Sequence, residues 1–217
     1  PKEEELIASR FRSETSDEAD RHFEQGFVEA FRAFRDLHPT SFPMTFFYAF
    51  KQVESDDVEG LGSTGWSTML EGLLQAGWKV TATWPMRTER NTGLRAGQNV
   101  LASSVLLACR PRGVDAGVTD RQGLLRVLGE RLPVALGELQ KASIAPVDLR
   151  QAAIGPGMAV FSQFEKVVEP DGSSMRVRTA LGLINQVLDQ VLDEQQAEFD
   201  RETRWAVQWF SQFFEDE

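Results

Sequence analysis

The 217-residue sequence has few of the residues that usually build disulfides, metal sites or nucleophilic centres. It contains one cysteine, Cys109, and two histidines, His22 and His38. A single thiol excludes an internal disulfide and a cysteine zinc site, and the apolar residues around Cys109 predict that it is buried. No cluster of ligand-type side chains surrounds either histidine, so we expect no metal site.

Long apolar runs and an initiator methionine are also missing. No stretch approaches the ~18 apolar residues that a membrane span needs, and no signal peptide is evident, so we expect a cytoplasmic protein without membrane contact. The sequence begins at Pro1, and we expect it to be a piece of a longer protein. Hydrophobic residues make up 41 % of the chain, including 15 Phe and 5 Trp, which is enough for a packed core.

Three apolar stretches and one amphipathic stretch predict a small sheet in the first half of the chain. Residues 45–50, 80–84 and 102–110 read as strands, and residues 66–76 read as a helix between the first two. Because the first and third strands are apolar on both sides, we expect helices on both faces of the sheet. The strand, helix and strand predict two parallel neighbours, and the polar loop 87–100 predicts an antiparallel third strand.

The segments on either side of these strands predict helices. Aromatic residues recur every three or four positions between Ala19 and Phe34, which indicates an amphipathic helix ahead of the sheet. The chain after about residue 118 reads almost entirely as helix. We therefore predict an α/β fold with two parts, an α/β domain at residues 1–117 and an all-helical extension at residues 118–217.

A glycine pattern offers a weaker interpretation. Gly60, Gly62 and Gly65 match the Gly-x-Gly-x-x-Gly fingerprint of dinucleotide-binding loops between a strand and a helix. Several polar residues separate these glycines from the preceding strand, whereas the fingerprint needs a tight turn. The next strand also ends in Trp84 and a proline rather than in an acid that binds ribose. A nucleotide-binding domain therefore remains the weakest of the alternatives.

Charge is distributed unevenly along the chain. The net charge is −10, yet residues 79–112 carry six cations and one anion. Guanidinium groups suit phosphate oxygens, so this basic segment predicts contacts with the DNA backbone. The candidate residues are Arg87, Arg90, Arg95, Arg110 and Arg112. Trp84, close to the same loop, is the candidate for stacking on a base.

Several short strings taken together resemble one family of enzymes. They are Pro1-Lys2-Glu3-Glu4-Glu5-Leu6, Phe47-Tyr48-Ala49-Phe50-Lys51-Gln52, Ala82-Thr83-Trp84-Pro85-Met86-Arg87-Thr88-Glu89, Leu101-Ala102-Ser103-Ser104, Cys109-Arg110-Pro111-Arg112 and Ala152-Ala153-Ile154-Gly155-Pro156-Gly157-Met158. In this order they resemble the C-terminal part of the large adenine-specific DNA methylases found in prokaryotic anti-phage gene clusters. The resemblance covers almost the whole chain.

The resemblance implies a Rossmann-like methyltransferase fold that uses S-adenosylmethionine. Such an enzyme methylates the exocyclic amine of adenine after the base has been flipped out of the DNA duplex. The resemblance implies that residues 45–50 correspond to the fifth strand of the methyltransferase sheet and residues 66–76 to the helix that follows it. Residues 80–84 and 102–110 form the final hairpin, whose antiparallel last strand marks the fold. Trp84 is the residue expected to stack on the flipped adenine.

The sequence departs from the family at the catalytic motif. Such enzymes need a glycine-bearing cofactor loop and an Asp/Asn-Pro-Pro-Tyr/Phe motif, and this sequence contains no Pro-Pro pair. Both motifs would lie upstream, so we expect no catalytic residue, bound cofactor or methyl transfer in this chain alone. Half a sheet also leaves an unpaired strand edge, which predicts a homodimer, a partner protein or cover by the N-terminal segment. A non-catalytic helical protein-interaction module remains the main alternative.

Overall fold

The computed structural model describes residues 16–50, 64–87, 103–141 and 146–197, together with Thr203, Trp205 and Trp209. The first part contains α1 (Ser16–Leu37), β1 (Met44–Phe50), α2 (Thr64–Gln75), β2 (Trp78–Arg87) and β3 (Ser103–Pro111). The second contains β4 (Val118–Asp120), α3 (Arg121–Lys141), α4 (Pro146–Ser162), β5 (Lys166–Val168) and α5 (Val177–Ala197). The prediction of a mixed α/β protein is confirmed.

The three longer strands form a sheet in the order β1-β3-β2. β3 is antiparallel to both neighbours, so β1 and β2 run in the same direction without touching. The predicted antiparallel hairpin is confirmed, whereas the prediction that the first two strands are neighbours is wrong. β3 takes the central position because Val105, Leu107 and Cys109 are all buried there, and a central strand has a hydrogen-bonded ladder on each side.

The turn between α2 and β2 follows from a single glycine. Gly77 has φ of +82°, a left-handed conformation that glycine adopts without steric cost. Its N–H donates to the Leu74 carbonyl at 3.0 Å, which satisfies one of the last acceptors of the helix. This glycine ends α2 and directs the chain straight into β2, as the sequence predicts.

Helices cover one face of the sheet. Phe46, Leu107 and Thr83 lie directly opposite one another across the three strands, so their side chains share this face. The ring of Phe31 in α1 lies 5.1 Å from the ring of Phe46, centroid to centroid. Trp66 in α2 contacts the neighbouring Tyr48 at 4.9 Å. We call this side the covered face.

The opposite side carries Phe47, Leu106 and Trp84, which also lie directly opposite one another. Phe47 is 65 % exposed and Trp84 is 49 % exposed. The prediction of helices on both faces is therefore wrong for the described part of the chain. The apolar strand segments predict burial on both sides of the sheet. Alternate residues instead lie on a face that the described helices leave uncovered. We call this side the open face.

The region after residue 117 is mostly helical but not entirely so. β4 and β5 pair in parallel as a separate two-stranded sheet, so the prediction of an all-helical extension is wrong. Each of these strands has only three residues, too few for hydrophobic periodicity to reveal. α4 also continues through Pro156, a residue type that usually interrupts a helix.

Close packing explains why α4 continues. A Cβ placed on Gly155 would lie 1.9 Å from Thr83 Oγ1 in β2, and one on Gly157 would lie 2.4 Å from Ile184 Cγ2 in α5. α4 is therefore held between the sheet and α5 at a distance that only glycine permits. Such tertiary contacts override the weak helix propensity of a Gly-Pro-Gly segment.

One buried cluster joins the two predicted parts. It includes Leu70 and Leu73 of α2, Met158 of α4, and Ile184 and Leu188 of α5. In addition, the backbone N–H of Val177 at the start of α5 donates to the Glu71 carboxylate at 2.9 Å. The division at residue 117 stays a prediction. The shared core affects whether the two predicted parts would unfold together or separately. Among the described helices, none has the length and hydropathy to cross a membrane.

Candidate nucleic-acid interface

Trp84 lies within β2, three residues before the strand ends at Arg87. The sequence predicts it at a strand end beside the loop, but the strand is longer than that prediction. Its partner across the sheet is Leu106, and its indole is half exposed on the open face. A base could therefore approach Trp84 across a flat sheet surface.

Two other exposed apolar side chains accompany Trp84. Phe47 occupies the same row on the far side of Leu106, and Met86 follows two residues after Trp84 on the same face. Met86 is 40 % exposed. Neighbouring strands lie about 4.8 Å apart, so the Cα atoms of Phe47 and Trp84 are separated by about 10 Å. Two aromatic rings thus flank an aliphatic side chain on one surface.

The three candidate arginines that the structure describes do not form one group. Arg87 pairs with Ser103 at the loop end of the hairpin, whereas Arg110 pairs with Lys79 at the opposite end. At about 3.3 Å per residue, these ends are about 25 Å apart. Arg90 and Arg95 lie outside the described residues. The sequence placed all five near adjacent strand ends without resolving which end of the hairpin each would occupy.

Arg110 lies on the open face. Its Nη1 is 3.5 Å from the Thr40 carbonyl, at the limit of a hydrogen bond. The side chain is partly exposed, and Lys79 is its direct partner across the strands. This pair places two cations on the same face as the aromatic row.

Arg112 points into the protein. Its guanidinium donates to the Phe164 carbonyl at 2.6 Å and to the Leu74 carbonyl, so it joins the end of α2 to the segment after α4. Burial lowers the pKa of Arg112, and nearby Arg35 lowers it further, while Glu165 acts in the opposite direction. Because two backbone carbonyls engage this guanidinium, the geometry favours a packing role. The sequence carries no signal for these contacts, which join residues about 40 to 50 positions apart.

The charge of the strands is entirely positive. β1, β2 and β3 contain no Asp or Glu, and they carry Lys79, Arg87 and Arg110. In a chain of net charge −10, the sheet is therefore a locally basic surface. The positive charge of these strands therefore differs in sign from the net charge of the whole chain.

The described residues do not gather metal ligands or a nucleophile. No group of three or more His, Cys, Asp or Glu side chains in the described ranges could hold a metal ion. His38 hydrogen-bonds through Nε2 to the Phe42 carbonyl at 2.8 Å and packs against Trp78. Burial raises the pKa of Cys109 to about 12, which keeps the thiol protonated and unreactive at neutral pH.

Other candidate sites are less informative. Gly60 and Gly62 of the glycine pattern lie outside the described residues, and Gly65 lies in the first turn of α2. A cleft of about 730 Å³ separates α1, α2 and the start of α5. Its walls carry three glutamates and three arginines: Glu24, Glu29, Glu71, Arg32, Arg176 and Arg178. These opposite charges balance, so the cleft has no preference for an anionic ligand.

The structure defines a mixed α/β protein whose sheet has one covered and one open face. Comparison with protein-family models, with curated proteins and with solved structures finds no match to this chain.

Proposed function

We propose that this chain is the C-terminal part of a cytoplasmic, S-adenosylmethionine-dependent DNA adenine-N6 methyltransferase of a prokaryotic defence or modification system. The observation that carries the proposal is the path of the chain through the sheet. β1, α2, β2 and an antiparallel β3 follow one another in the order that the resemblance implies for the fifth strand, the following helix and the final hairpin.

The two edges of the sheet differ, and this difference supports a parent sheet that continues beyond β1. The outer edge of β2 is covered by α4, where the Ser162 hydroxyl accepts the Val80 N–H at 2.9 Å. In contrast, β1 pairs only with β3 among the strands that the structure describes. An unpaired apolar strand of this kind is normally covered or extended. In the proposed parent enzyme, the preceding strands of a Rossmann-like sheet would pair with β1.

The division of chemical roles follows from the sequence. The cofactor loop and the Asp/Asn-Pro-Pro-Tyr/Phe motif would be supplied upstream, since this chain has no Pro-Pro pair. S-adenosylmethionine would bind that upstream part and donate the methyl group. This chain would contribute the end of the sheet, the contact of Trp84 with the flipped adenine, and basic side chains toward the DNA backbone.

Methyl transfer from radiolabelled S-adenosylmethionine to DNA tests the proposal. The 217-residue chain should transfer no label, and the protein encoded by the complete reading frame that contains it should label adenine. In that complete protein, Trp84→Ala should reduce turnover about tenfold or more because a stacked base contributes about 1–3 kcal/mol, whereas Trp84→Phe should retain most activity. Label transfer by the isolated chain, or none by the complete protein, would contradict the proposal.

One observation favours the second candidate, a helical protein-interaction module. Trp205 and Trp209 stack with their ring centroids 6.3 Å apart, and they are 65 % and 44 % exposed. Exposed tryptophans are enriched at the centres of protein interfaces. This candidate predicts concentration-dependent self-association or capture of a partner protein that Trp205→Ala and Trp209→Ala abolish, without any binding of DNA.

A further inference from the structure

The open face presents a regular pattern of side chains. Phe47, Leu106 and Trp84 form one row across the three strands. The next row on this face consists of Thr45, Ala108 and Ala82. These small side chains leave the two aromatic rings accessible from above the sheet.

A basic pair follows this row of small side chains. Arg110 stands four residues after Leu106 on β3, which corresponds to about 13 Å along the strand. Lys79 lies directly opposite Arg110 on β2. The open face therefore runs from exposed aromatic rings, across small side chains, to two cations, and its three strands include no acidic residue.

This arrangement is complementary to an unpaired nucleic-acid strand. Exposed aromatic rings stack on bases of any sequence, with about 1–3 kcal/mol for each base, and a positively charged surface follows the phosphates. A duplex keeps its bases stacked on one another, so it could reach the cations but not the rings. A protein partner would match the aromatic row, but the cations Lys79 and Arg110 lie on strands that contain no Asp or Glu, which favours a polyanion.

We propose that the open face binds single-stranded DNA, with bases stacked on Phe47 and Trp84 and phosphates held by Lys79 and Arg110. The inference takes DNA as the partner from the proposed function. It extends the contact of Trp84 with the flipped adenine to a platform, on which Phe47 stacks on another base of the same strand and the two cations hold its phosphates. Binding at this platform requires neither S-adenosylmethionine nor methyl transfer.

Fluorescence anisotropy with a labelled 12-nucleotide oligothymidine tests the platform in the 217-residue chain at low salt. We expect Trp84→Ala and Phe47→Ala each to weaken binding about tenfold, while Trp84→Phe retains most of the affinity. Trp205→Ala removes a tryptophan that is more exposed than Trp84 and lies outside the sheet, so it serves as the control and should leave binding unchanged. Circular dichroism and thermal unfolding establish that each variant is folded.

Salt dependence tests the cationic end. Single-stranded DNA loses affinity with a slope of about 0.7 for each phosphate contact in a plot of log affinity against log salt. Lys79→Ala and Arg110→Ala should each reduce that slope by about 0.7. The duplex of the same length and a heparin fragment should bind more weakly, because neither offers an accessible base to the rings.

The following results would overturn the inference: no binding of the oligonucleotide, unchanged affinity after Trp84→Ala and Phe47→Ala, or heparin binding as tightly as the oligonucleotide. A dimer in sedimentation velocity that Phe47→Asp dissociates would assign the open face to a second copy instead. The two proposals fail separately. If the complete protein methylates adenine but its Phe47→Ala variant binds single-stranded DNA normally, the proposed function stands and the proposed platform is refuted. If the oligonucleotide binds as expected but the complete protein does not methylate adenine, the proposed platform stands and the proposed function is refuted.

Discussion

Two arginines close together in the sequence, Arg110 in β3 and Arg112 just beyond its end, illustrate how much the role of a residue depends on its side-chain direction. Arg112 donates to carbonyls at the ends of two elements, whereas Arg110 reaches one carbonyl at 3.5 Å. Replacing Arg112 by Ala should lower the free energy of unfolding by about 1–3 kcal/mol, because partly buried carbonyls lose a charged donor.

Arg110→Ala is the matched control for this substitution. It should change the free energy of unfolding by less than about 0.5 kcal/mol, as is usual for a surface position. Urea denaturation of both variants measures the difference. Equal destabilisation by the two substitutions would contradict the packing role of Arg112, and the control is also the variant expected to lose affinity for single-stranded DNA.

Cys109 gives a prediction on pH dependence. Its pKa is raised by burial from 9.0 to about 12, so the folded thiol stays protonated where the unfolded thiol ionises. The stability that this group contributes is complete below pH 9 and is lost as the pH rises from 9 toward 12. Between pH 8 and 10 the wild-type chain should lose about 1.4 kcal/mol more unfolding free energy than Cys109→Ala. Equal losses for the two proteins would show that the thiol ionises freely in the folded state.

Residue-scale predictions from the sequence succeeded where local pattern decides the outcome. The burial of Cys109 follows from the apolar residues around it in the chain. The inward direction of Arg112 depends on carbonyls that tertiary packing alone brings close, and no periodicity in the sequence encodes them. Side chains that contact distant elements therefore have to be read from the structure.

At the scale of elements, α4 depends on the absence of side chains at the contact with β2. Gly155→Ala should destabilise the protein by about 1–3 kcal/mol, since the new methyl group would overlap Thr83. Gly129→Ala on α3 is the matched control, because a Cβ there meets nothing within 4 Å. It should stabilise the protein by about 0.5–1 kcal/mol through the better helix propensity of alanine. Thermal unfolding compares the two, and a neutral Gly155→Ala would mean that α4 lies farther from the sheet.

Elements were predictable where hydrophobic periodicity is strong, but their neighbours in space were not. The three main strands and α2 follow from apolar stretches and end within a few residues of their predicted bounds. The insertion of β3 between β1 and β2 was missed because the helical connection suggested adjacent strands. Likewise, Phe47 and Trp84 gave no hint of an open face, since an exposed aromatic residue has the same sequence signal as a buried one.

At the scale of the whole molecule, the shared core predicts cooperative unfolding. α2 packs against α5, and α4 packs against β2, so neither predicted part can unfold without exposing apolar surface of the other. We expect one thermal transition followed identically by near-ultraviolet and far-ultraviolet circular dichroism. Two separated transitions would instead support independent domains at residues 1–117 and 118–217.

Among the described strands only β3 pairs with β1, and this edge together with the open face gives the chain its proposed place in a larger enzyme. The edge is where the remaining strands of a methyltransferase sheet would pair, and the face is where displaced DNA would lie. The sequence predicts an unpaired strand edge but not the open face, because only tertiary packing decides which side of the sheet the helices cover.

The most direct measurement is the N6-methyladenine content of DNA, by mass spectrometry, from cells that express the complete reading frame containing this chain. We expect N6-methyladenine above the background of a methylase-free host, and only background levels when the 217-residue chain is expressed alone. Background levels from the complete protein, or methylation by the chain alone, would contradict the proposed function.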